Sequence, residues 1–339
     1  MGKRNATNGG SPMRKLTGVQ VIGTGSFLPE MVVTNEDLVS LGSDPQWLVK
    51  RTGIRERRHA PSEMATSDMA VAAARRAVEA SGVRPEEIDL VVLATLSPDQ
   101  LMPATATAVQ DQLGLQCAAM DVSAACAGFP YALITAMQFV ATGCSRRALV
   151  IGADTNSRVL DPTDKTTYPL FGDGAGAVIL APGSPEQGAL CYTLGADGSK
   201  ADLLCRPTGG SKQVFDPTGE NDGSWFMQMD GRAVFKWAVR VVEDSSREVL
   251  KMAELEVAQI DWWLLHQANE RILDAATDSL GVDQEKVIKH MARYGNTSAG
   301  SIPIALDETF RAGNIQPDQL LMMCGFGAGL AWGTIAFRW

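Results

Sequence analysis

The chain reads Asp121-Val122-Ser123-Ala124-Ala125-Cys126-Ala127-Gly128-Phe129 around one thiol, and an apolar run of helical length follows at 131–141. Pro130 is tolerated only in the first turn of a helix, where its missing N–H would have no intrahelical acceptor. The sequence therefore predicts a helix that begins at or just after Cys126. A thiol there faces the positive end of the helix dipole, which lowers its pKa and favours a nucleophilic thiolate. The alternative on local sequence alone is a buried structural cysteine.

Outward from this stretch, short apolar strand patterns alternate with longer helical patterns. Strands are predicted at 19–23, 88–94, 148–152 and 175–180, and an Ala-rich helix capped by Thr66-Ser67 is predicted at 68–81. Continuous apolar strands between helices are typical of strands that are buried on both faces. The pattern indicates an α/β fold in which helices cover a mixed or parallel sheet.

The second half of the chain repeats this scheme. A helix is predicted at 231–252, the run Ile260-Asp261-Trp262 repeats Ile88-Asp89-Leu90, and Gly327-Ala328-Gly329 echoes Gly174-Ala175-Gly176. These echoes indicate an internal duplication. We therefore predict a disordered leader at 1–15, an N-terminal half at 16–185, a C-terminal half at 186–339 and a surface loop at 206–224.

Composition excludes several classes of protein. A formal charge of −9 argues against a nucleic-acid surface. No apolar run reaches the roughly 18 residues that a membrane span needs, so membrane insertion is not expected. The six cysteines are scattered, with no CxxC and no zinc-like Cys/His spacing. This usage suits a reducing cytoplasm and predicts no metal site.

Among three histidines, His266 is the candidate for chemistry because it directly follows an apolar strand, and ligands bind at the carboxyl ends of such strands. His59 follows a charged run, 55–58, that we expect to be solvated, and His290 lies in a polar helical pattern. Asn296 lies in a polar loop before another apolar helical run. The glycine-rich loop 325–329 can present backbone N–H groups to a ligand oxygen.

Taken together, the motifs resemble the β-ketoacyl-acyl-carrier-protein synthase III family of bacterial fatty-acid synthesis. The matching segments, which span about 16–339, are Gly23–Pro29, Trp47 with Arg51–Arg57, Ala124–Phe129, Asp161–Asp164, Phe171–Ala177, His266–Asn269, Gly295–Ser298 and Gly325–Gly327. The resemblance implies a thiolase-like α/β fold, in which two duplicated βαβαβ-type halves form a five-layer αβαβα sandwich.

The resemblance also implies a role for each matching residue. Cys126 is the acyl acceptor, and His266 and Asn296 complete a Cys-His-Asn triad. Backbone N–H groups of Cys126 and Ala328 form the oxyanion hole. The remaining implied assignments are coenzyme A binding by Trp47, Arg51, Lys165 and Arg271, active-site lining by Phe326 and Met102, and carrier-protein docking by Lys236, Arg271 and Gln267.

Some positions depart from the family pattern. Lys165 stands where many members have an arginine that stacks on adenine, and Ala328 replaces a glycine. Asp278 and Ser279 occupy positions that are lysine in some members, which weakens a basic docking patch. Met102 stands where an aromatic residue often caps the acyl pocket across a dimer.

The implied activity is decarboxylative Claisen condensation of an acyl-CoA primer with malonyl-acyl-carrier protein, by a cytoplasmic homodimer that needs no cofactor. His266 must be neutral for this role, so a dry, apolar site is expected. The alternative within the fold is a related ketosynthase or acyltransferase of a polyketide or secondary pathway. A papain-like protease also orders Cys, His and Asn along the chain but would have Trp beside its nucleophile, and a non-catalytic subunit would typically lack the nucleophile.

Overall fold

The computed structural model describes residues 14–216, 218 and 223–339. Most of the predicted leader, 1–13, lies outside the described residues. Its last part does not behave as a disordered leader, because Arg14 donates a hydrogen bond from Nη1 to Thr193 Oγ1 at 2.9 Å. Arg14 is therefore held against β9 (Gly188–Ala196).

Fourteen strands and eight α-helices lie in the described residues. The strands are β1 (Leu16–Thr17), β2 (Val19–Phe27), β3 (Val32–Thr34), β4 (Glu56–Arg58), β5 (Leu90–Ala94), β6 (Ala118–Val122), β7 (Ala148–Asp154), β8 (Gly174–Pro182), β9 (Gly188–Ala196), β10 (Leu204–Cys205), β11 (Gln228–Met229), β12 (Trp262–Leu265), β13 (Leu320–Gly327) and β14 (Ala331–Arg338). The helices are α1 (Pro45–Thr52), α2 (Thr66–Ser81), α3 (Thr105–Gln112), α4 (Gly128–Ala141), α5 (Gly231–Ala253), α6 (Glu270–Leu280), α7 (Met291–Tyr294) and α8 (Ser301–Arg311).

Two five-stranded sheets carry the duplication that the sequence predicts. Their orders are β2-β8-β7-β5-β6 and β1-β9-β14-β13-β12. Within them, β2-β8-β7-β5 and β9-β14-β13-β12 have the same sequence of antiparallel, antiparallel and parallel neighbours. The halves differ at their edges, where the first adds β6 beside β5 and the second adds β1 beside β9.

One of the two predicted echoes is in register and the other is not. Asp89 donates its N–H to the carbonyl of Arg147, and Asp261 makes the equivalent bond to Leu320 at the start of β13. The predicted equivalence of the two glycine runs is wrong. Gly174–Gly176 lies at the start of β8, whereas Gly327 lies at the end of β13, which is the counterpart of β7. Both glycine runs lie where backbone segments pack closely. This shared requirement explains why the two sequences are alike although their positions in the two halves are not equivalent.

The predicted five layers are confirmed. Helices α4 and α8 lie between the two sheets, α2 and α3 cover the outer face of the first sheet, and α5 and α6 cover the outer face of the second. Helix α4 is apolar on nearly all sides, as a helix between two sheets must be. The N-terminal ends of both central helices therefore lie in the interior of the molecule.

The turn between β8 and β9, at 183–187, separates the two sheets close to the predicted junction. The halves are nevertheless interleaved, because β1 at 16–17 pairs with β9 of the second sheet. The predicted surface loop is bracketed by β10 and β11, which pair with each other. None of the helices in the described part of the chain has both the length and the apolar character that a membrane crossing requires.

Candidate active site

Cys126 lies in a 3₁₀ turn, Ala125–Ala127, that leads directly into α4 at Gly128. Pro130 is the third residue of α4, so the predicted helix start is confirmed. Ala125 adopts a positive φ of 46°, which turns the chain sharply at the end of the segment that follows β6. The thiol is buried, with only 5% of the residue exposed.

A cavity of about 960 Å³ leads from the surface to this thiol. It brings together the three predicted catalytic residues, Cys126, His266 and Asn296, although they are far apart in sequence. The other predicted site residues that line it are Trp47, Arg51, Lys165, Lys236, Arg271 and Phe326.

The predicted lowering of the Cys126 pKa is wrong for the unliganded protein. Burial raises the pKa of the thiol to about 12, the nearby Asp154 carboxyl raises it further, and the Ser298 hydroxyl at 3.4 Å from Sγ opposes both. Desolvation disfavours the charged thiolate more than one helix end favours it. A raised pKa favours the thiol form of Cys126 over the thiolate.

His266 directly follows β12 and is 1% exposed. Burial, together with the neighbouring His290, lowers its pKa to about 3, so the ring is neutral as expected. Nδ1 lies 2.7 Å from Ser301 Oγ, and the edge of the ring packs against Phe326 with 5.1 Å between ring centroids. These contacts fix the ring at the cavity wall.

The other two histidines are buried, contrary to the polar surroundings that the sequence suggested. His59 and Arg57 are both nearly inaccessible, and the Arg57 guanidinium donates to the Pro169 carbonyl and to Asn35 Oδ1. His290 is buried beside Glu308. Neither histidine lines the cavity that contains Cys126.

Asn296 lines the cavity, and its side-chain oxygen bonds to the turn that follows it. Oδ1 accepts the N–H of Ser298 at 2.8 Å, and the backbone of Asn296 forms an isolated bridge with Phe171 of the other half. The free NH₂ group is a hydrogen-bond donor at the cavity wall.

Ser298 contacts Cys126, Asn296 and the serine that binds His266. The sequence analysis did not identify it as a site residue. Its hydroxyl lies near Cys126, its N–H donates to Asn296 Oδ1, and its carbonyl oxygen lies 2.9 Å from Ser301 Oγ. It is fully buried and has a positive φ of 51°. The sequence feature that could have identified Ser298 is its position two residues after Asn296, within the same matching segment.

Asp154 was also missed, although it is the one charged residue in an otherwise apolar strand. Its Oδ2 accepts the Ala299 N–H at 3.0 Å, and its Oδ1 accepts the Leu96 N–H at 2.8 Å. Burial raises the pKa of this carboxyl, while the N–H and hydroxyl donors around it lower the pKa. The carboxylate thus ties the end of β7 to the turn that contains Ser298.

A second, smaller cavity of about 130 Å³ lies on another side of Cys126. Its walls are mainly apolar and include Leu96, Val159, Leu204 and Met227, together with Ala328. In the described part of the chain, Ala328 is not among the residues with positive φ, so its Cβ is accommodated without backbone strain. Cys126, Phe171 and Leu204 line both cavities.

Basic side chains surround the mouth of the large cavity. Arg51 lies over the ring of Trp47, one turn earlier on α1, with 5.7 Å between the guanidinium carbon and the ring centroid. Gly53, with φ of 80°, ends α1 where a Cβ would be 2.7 Å from the Glu270 Cβ, so glycine suits the close packing of α1 against α6. The basic residues that line the cavity are Arg51, Lys165, Arg232, Lys236 and Arg271, and sequence analysis missed Arg232.

Two predicted site residues, Met102 and Gln267, line neither cavity. Met102 is 83% exposed. Gln267 is fully buried, its Nε2 donates to the carbonyls of Leu265 and Ile288, and its Oε1 accepts the His290 N–H. Its assignment to carrier-protein docking is therefore wrong, because a side chain with no exposed surface cannot contact another protein.

Within the described residues, no group of three or more His, Cys, Asp and Glu side chains is arranged to hold a metal ion. The duplicated sheets, together with a buried thiol at the start of a central helix, define the class of thiolase-fold enzymes. Family models described as 3-oxoacyl-[acyl-carrier-protein] synthase III match residues 120–198 and, for the C-terminal part, 250–339.

A β-ketoacyl-[acyl-carrier-protein] synthase III from Rhodopirellula baltica is 50% identical, covering 96% of this chain and 100% of that protein. The crystal structure of 3-oxoacyl-[acyl-carrier-protein] synthase III from Aquifex aeolicus VF5 is 40% identical over 95% of this chain and 100% of its own, with a TM-score of 0.88. The priming β-ketosynthase from the R1128 polyketide biosynthetic pathway is 36% identical over 97% of this chain and 98% of its own, with a TM-score of 0.87. The chain belongs to the β-ketoacyl-acyl-carrier-protein synthase III family.

Proposed function

We propose that this chain condenses an acyl-CoA primer with malonyl-acyl-carrier protein, releasing coenzyme A and carbon dioxide and giving a 3-oxoacyl-acyl-carrier protein. In this proposal the reaction initiates fatty-acid synthesis and requires no metal or redox cofactor. The observation that carries it is that Cys126 lines both cavities, with His266 and Asn296 on the wall of the larger one. One cavity can hold an acyl chain while the other holds a thioester arm.

In the first half-reaction, Cys126 attacks the thioester carbonyl of the acyl-CoA. The bond from carbon to the coenzyme A sulfur breaks, and the thiol proton leaves with coenzyme A as its free thiol. Backbone N–H groups of Cys126 and Ala328 are suited to hold the oxyanion, and one such donor is typically worth about 3–4 kcal/mol in the transition state. The product is an acyl-enzyme.

In the second half-reaction, the malonyl group loses carbon dioxide and its electron pair forms an enolate. The Asn296 amide and the His266 ring donate hydrogen bonds to the enolate oxygen. The enolate carbon then attacks the acyl-Cys126 carbonyl, and the released thiolate takes a proton from solvent. A neutral His266 suits this role because a cation would stabilise the enolate too strongly for it to react.

The size of the smaller cavity supports a short acyl primer. Pockets for drug-sized ligands span about 300–1,000 Å³, so a cavity of about 130 Å³ holds a much smaller group. Its apolar walls favour an uncharged alkyl chain. The primer in this proposal is therefore a short, uncharged acyl group.

The basic cavity mouth supports recognition of coenzyme A phosphates and of an acidic carrier protein. Arg51, Lys165 and Arg271 are exposed there, on a chain whose overall charge is negative. We assign Lys236 and Arg271, with Arg232 added, to the docking face. Asp278 and Ser279 are also exposed on α6 and limit its positive charge.

A homodimer and a cytoplasmic location belong to the same proposal. Leu101 and Met102 are 86% and 83% exposed, an unusual exposure for adjacent apolar side chains. We propose that Met102 reaches the acyl cavity of a partner subunit. All six cysteines are free, which supports a reducing compartment.

The nucleophile is tested by replacing Cys126 with Ser and weighing the intact protein after incubation with a panel of acyl-CoAs. We expect the unmodified chain to gain one acyl group per subunit and Cys126→Ser to gain none. Cys144→Ser, which removes an exposed thiol, is the matched control. Full acylation of the Cys126→Ser variant would rule out this nucleophile.

The proposed assignment of His266 to the second half-reaction alone is tested with His266→Ala. We expect the variant to form its acyl-enzyme but to lose most decarboxylation of malonyl-acyl-carrier protein. Equal losses in the two half-reactions would contradict the assigned role. The secondary-pathway alternative differs in the carrier protein, so condensation with a polyketide carrier and not with the fatty-acid carrier would favour it.

A further inference from the structure

The hydroxyl group of Ser301 lies against the ring of His266. Ser301 is the first residue of α8 and is fully buried, and its Oγ lies 2.7 Å from His266 Nδ1. In the described part of the chain, Nε2 has no hydrogen-bond partner, and His266 lines the large cavity. The ring therefore has one nitrogen bound to the protein and one available to a ligand.

A neutral imidazole carries one proton, so the partner of Nδ1 decides what Nε2 can do. If Nδ1 carries the proton, Nε2 is an acceptor and cannot bind an enolate oxygen. If Ser301 donates its hydroxyl proton to Nδ1, the ring proton lies on Nε2, which is then a donor. The Ser301 hydroxyl thus selects between two tautomers with different chemistry.

The surroundings of Ser301 leave its proton free for this bond. The only other acceptor within reach among the described residues is the Ser298 carbonyl, at 2.9 Å. That carbonyl already accepts the backbone N–H of Ser301. Turning the hydroxyl proton towards Nδ1 therefore leaves no buried acceptor without a partner.

We propose that Ser301 is a positioning residue that donates its hydroxyl proton to His266 Nδ1 and so keeps the ring proton on Nε2. This assignment rests on the proposed function, because only the condensation half-reaction needs a donor at Nε2. It predicts that Ser301 matters for decarboxylation and not for acyl-enzyme formation.

The tautomer can be observed directly in the full-length protein labelled with ¹⁵N-histidine. The chain has three histidines, and His266→Asn identifies the signals of His266 by their loss. Protonated and unprotonated ring nitrogens resonate in separate regions of the spectrum. We expect a neutral His266 with its proton on Nε2, and a proton on Nδ1 would overturn the proposal.

Kinetics provide the second measurement. Ser301→Ala should lower the kcat of malonyl decarboxylation about 10-fold to 100-fold, because the donor is lost or misplaced, while acyl-enzyme formation is unchanged. Thr309→Val is the matched control, since it removes a buried hydroxyl of α8 that bonds only to the Ala305 carbonyl. Equal losses in both half-reactions would overturn the proposal, and the spectrum of the unmodified protein decides if Ser301→Ala does not fold.

The experiments distinguish a failure of the proposed function from a failure of the role proposed for Ser301. If His266→Ala still decarboxylates malonyl-acyl-carrier protein, the proposed function fails whichever nitrogen carries the proton. If the unmodified protein has its His266 proton on Nδ1, only the Ser301 assignment fails.

Discussion

The turn that contains Cys126 and the turn that contains Ser298 have similar backbones. In each half, a 3₁₀ turn of three residues, Ala125–Ala127 or Ser298–Gly300, leads directly into a central helix and begins with a residue at positive φ. Aligned on that start, Cys126 corresponds to Ala299. The fold thus provides two equivalent positions, and only one of them carries a reactive side chain.

The strand ends that face these turns differ in a complementary way. Strand β7 ends at Asp154, whose carboxylate accepts the Ala299 N–H. Strand β13 ends at the equivalent Gly327, which packs against Cys126 and has no side chain to accept an N–H. The N–H of Ala299 thus binds an anionic oxygen, whereas the equivalent N–H of Cys126 faces a glycine that offers no such oxygen. This difference is what the proposed binding of a substrate oxyanion by the Cys126 N–H requires.

A second pair of equivalent positions also differs between the two halves. Ala94 ends β5, and a Cβ on Gly128 at the start of α4 would be 2.9 Å from the Ala94 Cβ. The counterparts in the second half are His266 and Ser301, which share a hydrogen bond. The first half therefore supplies the thiol in a tightly packed apolar site, and the second half supplies the polar groups.

The largest expected effect comes from giving Gly327 a side chain. In Gly327→Ala the new Cβ would be 2.7 Å from the Cys126 Cβ and 3.2 Å from its sulfur, so the thiol must move. We expect acyl-enzyme formation, followed by intact mass, to slow by on the order of 100-fold. Gly198→Ala, at a position with open space around it, is the control. An unchanged rate would show that β13 does not position the thiol.

Removing the charge of Asp154 should weaken the other turn. In Asp154→Asn the side chain keeps its shape, but its NH₂ group replaces one of the two oxygens and so faces the N–H of either Leu96 or Ala299. Because hydrogen bonds to charged groups are worth about 1.5–3 kcal/mol, we expect the free energy of unfolding in urea to fall by about 2–3 kcal/mol. Asp161→Asn, whose carboxylate accepts bonds only within its own exposed loop, should change it little. Equal stability of the two variants would contradict this role.

The pH dependence of Cys126 alkylation distinguishes burial from the helix dipole. Because burial raises the pKa of this thiol to about 12, the thiolate fraction should rise about tenfold per pH unit between roughly pH 7 and 10. The iodoacetamide reaction rate, corrected with the Cys126→Ser variant, measures this. An alkylation rate that stops rising near neutral pH would instead support the lowered pKa that the helix start alone predicts.

The smallest expected effect concerns the Ser298 hydroxyl. Ser298→Ala should slow Cys126 alkylation about fivefold, the equivalent of one ordinary hydrogen bond of about 1 kcal/mol. Alanine is tolerated at the equivalent positive φ of Ala125, so the turn should persist. Ser246→Ala is the control, because this buried hydroxyl has no hydrogen-bond partner among the described residues. A rate equal to that of the control would show that the hydroxyl does not stabilise the thiolate.

Much of the fold and part of the site follow from the sequence because the signals are local. Pro130 fixes the start of α4 within a few residues of Cys126, since a proline later in a helix would clash with the preceding turn. Apolar runs between helical patterns identify the buried strands, and the repeated Ile-Asp motif at 88–89 and 260–261 identifies the duplication. The position of His266 after a strand follows from the same reasoning.

Tertiary structure alone decided how these groups are solvated and which of them touch. The helix start predicts a low pKa for Cys126, but the pKa is raised because both halves of the molecule exclude water from the thiol. Gln267 and Arg57 are polar in sequence and buried in the fold, where carbonyl groups from distant segments satisfy them. Desolvation and the pairing of Ser301 with His266 depend on chain segments far apart in sequence, and no local pattern encodes them.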